Sequence, residues 1–367
     1  MLIRKLVLSN FRNLGNCTLD TAARQVILTG ENGQGKTNLL EAVYLLCYGS
    51  SFRTQDLNEA ITYGSDFFYL KNCFEDVDGI ERNSEISFDG NKKNIKIDGK
   101  EIRDRKDLIC NLPCIVFSHE DIEFVRGEPE CRRRFFDQTM TMYDPVFFDD
   151  LRRYKQTLRQ RNIAIKERRI ELLDVFDQRL AALGIPIMKA RNSVCESFSA
   201  IFPDIYDGVA LEDRKIKISY RPSWDLDMSQ EDVERYLFDH RETDLKMQTT
   251  TSGIHRDRFV VTDKNGVFSN GASTGQMRLA SLVFRSAQAA FFRRKTGLDP
   301  IFLIDDVLLE LDASKRARYL NYLGKYNQAF FTFLPEEKYF GSLFDLKSSD
   351  TIKYTVKDGV FEKDERL

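Results

Sequence analysis

No apolar run in this chain of 367 residues approaches the roughly 18 residues of a membrane-spanning helix. The opening stretch MLIRKLVLSNF carries neither a signal-peptide core nor a cleavage site, so the expected location is the cytoplasm. There is no internal repeat and no low-complexity tract, which removes solenoids and fibres. The seven cysteines lack metal-site spacing: Cys110 and Cys114, the closest pair, have no second pair to complete a zinc site, and buried reduced thiols are expected. A strong net charge is missing too. At −2, the whole-chain balance argues neither for nor against nucleic acid.

What remains is an ordinary globular composition, 42% hydrophobic and 31% charged, enough for one large domain or two with a full core. Its charge is unevenly spread. Between Arg132 and Arg191 there are fourteen Lys/Arg against eight Asp/Glu, which leaves the rest of the chain at about −8. A basic segment on an acidic body fits a nucleic-acid footprint, and it fits equally a helix with a solvated charged face.

The stretch GENGQGKT follows the pattern G-x-x-x-x-G-K-[ST], and its flanks suit it. RQVILTG before it reads as a short buried strand; TNLLEAVYLLCYG after it reads as a helix with Leu39, Leu40, Val43 and Leu46 on one face and Gly49 ending it. Gly30, Gly33 and Gly35 let backbone N–H groups curl around phosphates at a helix N-terminus, where the helix dipole already favours negative charge. The expected phosphate-binding set is Gly30, Glu31, Asn32, Gly33, Gln34, Gly35, Lys36, Thr37 and Asn38. Lys36 would reach the β- and γ-phosphates of ATP or GTP, and Thr37 would hold Mg²⁺.

Further along, ISFDGNKKNIKIDGKEI reads as a β-meander turning at Asp89-Gly90 and Asp98-Gly99. From Pro145 to about Phe202 the periodicity becomes helical. Leu151, Tyr154, Leu158 and Ile165 share one face, then Leu172, Phe176, Leu180 and Leu183 share the next, and Gly184-Ile185-Pro186 is expected to divide this pair from a third helix. RKIKISY is strand-like, and Ser229 with Asp232 forms a capping box at a later helix start. The apolar strand in PIFLIDDVLLELD ends in Asp305 and Asp306, as a Walker B element does; Asp305 would support Mg²⁺. Lys36 and Asp305 stand 269 positions apart, too far for a compact P-loop domain in one piece, so the helical segment is expected as an insertion.

Just before that strand, Ser273-Thr274-Gly275-Gln276 opens a helix with Leu279, Leu282, Val283, Ala287, Ala290 and Phe291 on its buried face. Ser273 and Thr274 could simply cap it, or the turn could bind an anion. S-x-G-Q, helix, Walker B is the order found in ABC-type ATPases, where the signature contacts the γ-phosphate held by the opposite subunit. That order implies a dimer with ATP sandwiched in it. Within this superfamily the chain resembles the RecF family over essentially its full length. The resemblance is carried by LVLSNFRNL, GENGQGKTNLLEA, YGSSFRT, FVRGEPECRRRFFD, YKQTLRQRN, SGIHRD and IDDVLLELD. Two motifs depart from the usual form: Gly253 to Asp257 stands for G-P-H-R-D, and Ala272 to Gln276 for L-S-G-G-Q.

The resemblance implies an α/β fold, with an ABC-type P-loop ATPase head formed from both chain ends (1–130 and 248–367) and an inserted, mainly helical arm (131–247). It implies that Arg12 contacts nucleotide, that Arg53 links DNA to the ATP site, and that Asp306 occupies the catalytic carboxylate position. Ser273, Gly275, Gln276 and Asp312 would complete the partner's ATP site, with Leu311 beside Asp312 in the crossing loop. Thr332 stands near the switch position, and the roles of His255 and Arg256 stay open. The implied function is a weak, DNA-stimulated ATPase whose ATP-driven dimer clamps gapped DNA or single-strand/double-strand junctions. It would help load RecA with RecO and RecR, and slow hydrolysis would release it. Arg152, Arg153, Arg159 and Arg161 are the expected arm contacts to DNA phosphates. Two other readings are weighed against it. A small-molecule P-loop kinase would not need STGQ, and another SMC-like module would need more chain than is present.

Overall fold

A computed structural model of the chain describes residues 1–335 and 350–364; the remaining positions of the expected head, 336–349 and 365–367, lie outside the described residues. The chain divides into two compact units, Met1–Glu120 with Phe292–Leu367, and Asp121–Phe291. Among the described residues no helix is long and apolar enough to cross a membrane.

Two six-stranded sheets build the first unit. One is antiparallel, in the order Cys17–Asp20, Leu2–Ser9, Phe68–Glu75, Glu81–Phe88, Lys93–Ile97, Lys100–Glu101. Phe68, Leu70 and Phe74 alternate inward along their strand, so this sheet has one buried face. The meander turns where the two Asp-Gly pairs predict, with Gly90 and Gly99 at φ 84° and 76°.

The second sheet runs Val360–Lys363, Thr351–Lys357, Gln25–Thr29, Gln328–Phe333, Ile301–Asp305, Cys114–Phe117, parallel except at the first edge strand. Ile301–Asp305 and Gln328–Phe333 are buried along their whole length, as unbroken apolar strands of a covered parallel sheet must be. The helix Lys36–Tyr48 packs against strands of both sheets and is buried almost all round. It ends at Gly49, in the left-handed region at φ 65°, where the expected stop lies. Both chain ends therefore supply this α/β head. The register aligns Thr29 with Phe333 and Thr332 with Asp305, so the carboxyl ends of three neighbouring strands form one rim.

The second unit is mainly helical, with a three-stranded sheet of Gly266–Val267, Arg258–Asp263 and Lys217–Arg221. Its core is aromatic: Phe136 stacks on Phe259 with centroids 4.0 Å apart, and Phe135, Phe198, Phe202 and Phe284 meet around them. The Ser229–Asp232 capping box is present.

Three expectations are corrected. Gly184-Ile185-Pro186 divides nothing: Leu173–Ala210 is one helix of 38 residues running through Pro186 and Pro203. An interior proline loses a backbone hydrogen bond and costs about 3 kcal/mol. Burial of Leu180, Ala181, Ile187 and Met188 on both sides of the break offsets this. Gly184 is needed for packing rather than for a turn, since a Cβ there would stand 2.5 Å from Cζ3 of Trp224. The inward face of that helix is Leu173, Asp177, Leu180 and Gly184, while Leu172 is exposed in a preceding 3₁₀ turn. The cysteines are free, but only Cys47, Cys114 and Cys195 are buried; Cys110 is exposed.

Candidate functional site

The glycine loop leaves the strand Gln25–Thr29 and enters the helix at Lys36. Gly35, its N-cap, lies at φ 112° and Gly33 at φ 79°, conformations that side chains disfavour. Gly30 is required for close approach instead: a Cβ there would lie 2.4 Å from the carbonyl oxygen of Val356. Side chains outside the motif brace the loop. Asn13 donates from Nδ2 to the Gly33 carbonyl (3.0 Å) and accepts at Oδ1 from Asn38 (2.7 Å), while Gln34 accepts the N–H of Asp358 (2.5 Å). Glu31 and Asn32 are exposed on the loop.

Lys36 is buried. Its ammonium donates to the carbonyls of Gly30 (2.7 Å) and Glu31 (3.2 Å) and stands 3.6 Å from Oδ2 of Asp306. A buried cation held largely by neutral carbonyls at a helix N-terminus suits a further anionic ligand, and phosphate oxygens fit it. Thr37 donates from Oγ1 to Oδ1 of Asp305 at 2.8 Å, bringing together the two ends of the 269-residue separation. One carboxylate and one hydroxyl are the protein share expected for Mg²⁺ beside a polyphosphate, whose oxygens and water complete the shell. Burial raises the carboxyl pKa of Asp305, with neighbouring Asp306 adding to it against the hydrogen bonds from Thr37 and Thr332. A cation would reverse that shift.

Asp306 lies in the left-handed region at φ 52°. Its N–H donates to Oγ1 of Thr332 (2.8 Å), and that hydroxyl stands 2.8 Å from Oδ1 of Asp306 and 3.1 Å from Oδ1 of Asp305. Thr332 thus ties both carboxylates to the neighbouring strand. His119 Nδ1 meets Oε1 of Glu310 at 2.6 Å, a contact that raises the imidazole pKa against the opposing effect of burial. Asp312 caps the helix Ala313–Tyr322; the Lys315 N–H, then the Ser314 hydroxyl, hold its carboxyl down at about 2.

Arg12 and Arg53 converge on one residue that the motifs do not mark. Glu41, fully buried in the P-loop helix, takes Arg12 Nε at 3.0 Å and Nη2 at 2.8 Å, Arg53 Nη1 at 3.3 Å, and the Ser51 hydroxyl at 2.5 Å. Arg53 also donates to Oδ1 of Asn38 (2.6 Å). The signal was visible: Glu41 is the single charge within the apolar run TNLLEAVYLLCY.

In the second unit, Ser273 and Gln276 form a reciprocal cap on the helix Thr274–Thr296. The Ser273 N–H donates to Oε1 of Gln276 (2.9 Å) and the Gln276 N–H to Oγ of Ser273 (3.3 Å). Gln276 is held as well by Arg214 and Glu212, whereas Ser273, Thr274 and Gly275 are exposed. Arg152, Arg153 and Arg159 are exposed on the helix Pro145–Lys166, with Arg152 paired to Asp149.

Arg161 is a correction. It is fully buried, paired at 2.6 Å with both Asp177 and Asp244, and cannot face a phosphate. Its place on the stripe of Leu151, Tyr154, Leu158 and Ile165 puts it inward. His255 is lowered to a pKa of about 4 by burial, and it links Tyr154 Oη (3.2 Å) to the Thr250 carbonyl (3.0 Å). Asp257 joins Arg191, Asp137 and Tyr220 in a buried network.

Residues 2–339 match the family model of the RecF/RecN/SMC N-terminal domain. The DNA replication and repair protein RecF of Treponema pallidum is 41% identical over 332 residues, covering 90% of this chain and 93% of that protein. The chain belongs to the RecF family. The RecF of Ruminiclostridium cellulolyticum is 33% identical over 95% of this chain and 96% of its own length. A solved structure of the recombination mediator protein RecF with ATP, in the RecFOR pathway, superposes with a TM-score of 0.88 at 27% identity, covering 99% and 97% of the two chains. An Smc head bound to the C-terminal winged-helix domain of ScpA shares the fold alone, at a TM-score of 0.55 and 15% identity. An ABC-type ATPase head with a helical insertion is thus common to this chain, the RecF family and the Smc head.

Proposed function

We propose that the chain is an ATP-gated DNA-binding switch of DNA replication and repair in the RecFOR pathway. The observation that carries this reading is the single rim on which the strand ends place Lys36, Thr37, Asp305, Asp306 and Thr332, in a chain whose relatives are RecF proteins along their whole length. ATP binds through the loop Gly30 to Asn38, with Lys36 on the terminal phosphates. Thr37 and Asp305 hold Mg²⁺, which neutralises phosphate charge. Asp306 orients the attacking water, held at its angle by Thr332.

Hydrolysis is weak and stimulated by DNA, because one aspartate provides the base and the γ-phosphate also needs Ser273, Gly275, Gln276 and Asp312 of a second copy. The ATP-bound dimer clamps gapped DNA or single-strand/double-strand junctions in the cytoplasm. Arg53, Arg152, Arg153 and Arg159 meet phosphates there, and Arg12 contacts the nucleotide. RecR and RecO act with it to load RecA.

The test is Lys36→Ala. Loss of a buried charge-assisted contact to phosphate corresponds to a fall in ATP affinity of roughly a hundredfold. Calorimetry should find it, and ATP-dependent retention of gapped duplex should vanish in the same variant. Wild-type ATP affinity in Lys36→Ala would overturn the assignment of the loop.

A further inference from the structure

The small sheet of the second unit has one face that the function described so far leaves unused. Arg258–Asp263 and Lys217–Arg221 pair antiparallel with Arg258 opposite Arg221, Val260 opposite Ser219 and Thr262 opposite Lys217. Residues directly opposite share a face, and the face alternates at every residue. Phe259, Val261 and Ile218 are buried, and with Tyr220 they form the inner face. Arg221, Arg258 and Lys217 are therefore all on the outer one, and all three are exposed.

Two arginines directly opposite one another repel, and a sheet avoids this arrangement unless something uses it. No carboxylate shares the face: its other members are Ser219, Val260, Thr262 and Val267. None of the three cations makes a side-chain hydrogen bond or ion pair among the described residues. Their nearest acidic neighbour in the strand, Asp263, belongs to the inner alternation and is taken by Arg214 at 3.0 Å. The strip from the arginine pair to Lys217 covers four residues, about 14 Å of strand, which is longer than a single small anion. It also lacks the aromatic anchor that a protein partner would seek.

We propose that this outer face is a docking strip for the phosphate backbone of nucleic acid. Arg221 and Arg258 form a double fork on one phosphate group, and Lys217 reaches another along the chain. Guanidinium pairs match phosphate oxygens in a way that ammonium groups do not. The strip reads charge and not sequence, and rests on the DNA-binding function proposed above.

The experiment measures binding of the full-length chain with ATP to gapped duplex across a roughly fourfold range of salt. In Arg221→Gln/Arg258→Gln the slope of log affinity against log salt should fall by about two, near 0.9 for each lost phosphate contact. ATP affinity should be unchanged, and the melting temperature equal or higher because a repulsion has gone. Arg221→Glu, which can pair with Arg258 across the strands, should fold stably and bind DNA more weakly than wild type. A doubly substituted protein with the wild-type slope, under conditions where wild type binds, overturns the strip and leaves the DNA function standing. Absence of salt-dependent binding by wild type overturns both.

Discussion

Thr332 governs the carboxylate pair with a single hydroxyl, since its Oγ1 accepts the Asp306 N–H and lies within 3.1 Å of both carboxyl groups. Asp306 sits at φ 52°, a conformation that an aspartate tolerates only with local support. Thr332→Val keeps the shape and removes that support. Its turnover should fall tenfold or more, as losses in supporting shells do, with ATP affinity within about threefold of wild type. Asp306→Asn should lose turnover more completely and still bind ATP, because Thr37 and Asp305 are untouched. Steady-state hydrolysis and calorimetry on the two variants separate these outcomes, and unchanged turnover in Asp306→Asn would remove it from the catalytic position.

Whole elements show where ion pairs serve the arm rather than DNA. Arg161 joins the helices Pro145–Lys166, Leu173–Ala210 and Arg241–Met247 through Asp177 and Asp244. Breaking a buried pair on one side costs about 3–5 kcal/mol. The lower end is expected for Arg161→Ala, since Arg241 still meets Asp177 and Thr251 still donates to Asp244. Urea unfolding should show this loss while the salt slope for DNA stays as in wild type; a marginal stability change would contradict the stapling role.

The helices, the P-loop flanks, the meander and the capping box were legible because each follows from local periodicity or turn chemistry. Arg161 was misread because fourteen basic residues look alike until the inward stripe is traced through Tyr154 and Ile165. Gly184 and Pro186 read as a stop because the packing of Trp224 against Gly184, which makes a continuous helix worthwhile, comes from 40 residues away. Glu41 escaped for a related reason: a helix that packs against two sheets buries even its polar side, so its one charge had to find partners in distant loops.

At the scale of the molecule, the P-loop, Asp305 and Asp306 lie in a unit assembled from both chain ends, and Ser273 to Gln276 lie in the other. The exposed Ser273-Thr274-Gly275 turn is free to meet a second copy. A γ-phosphate shared between copies makes association depend on ATP and not on ADP. Ser273→Arg should preserve ATP binding by the monomer and block that association, because its side chain would fill the phosphate's place; normal association would leave Ser273 as a helix cap.

Sedimentation of the full-length chain without nucleotide, with ADP and with ATP tests the account most directly. The account predicts monomer in the first two conditions and a dimer with ATP alone, lost in Lys36→Ala. One and the same species in all three conditions, whether monomer or dimer, would contradict it.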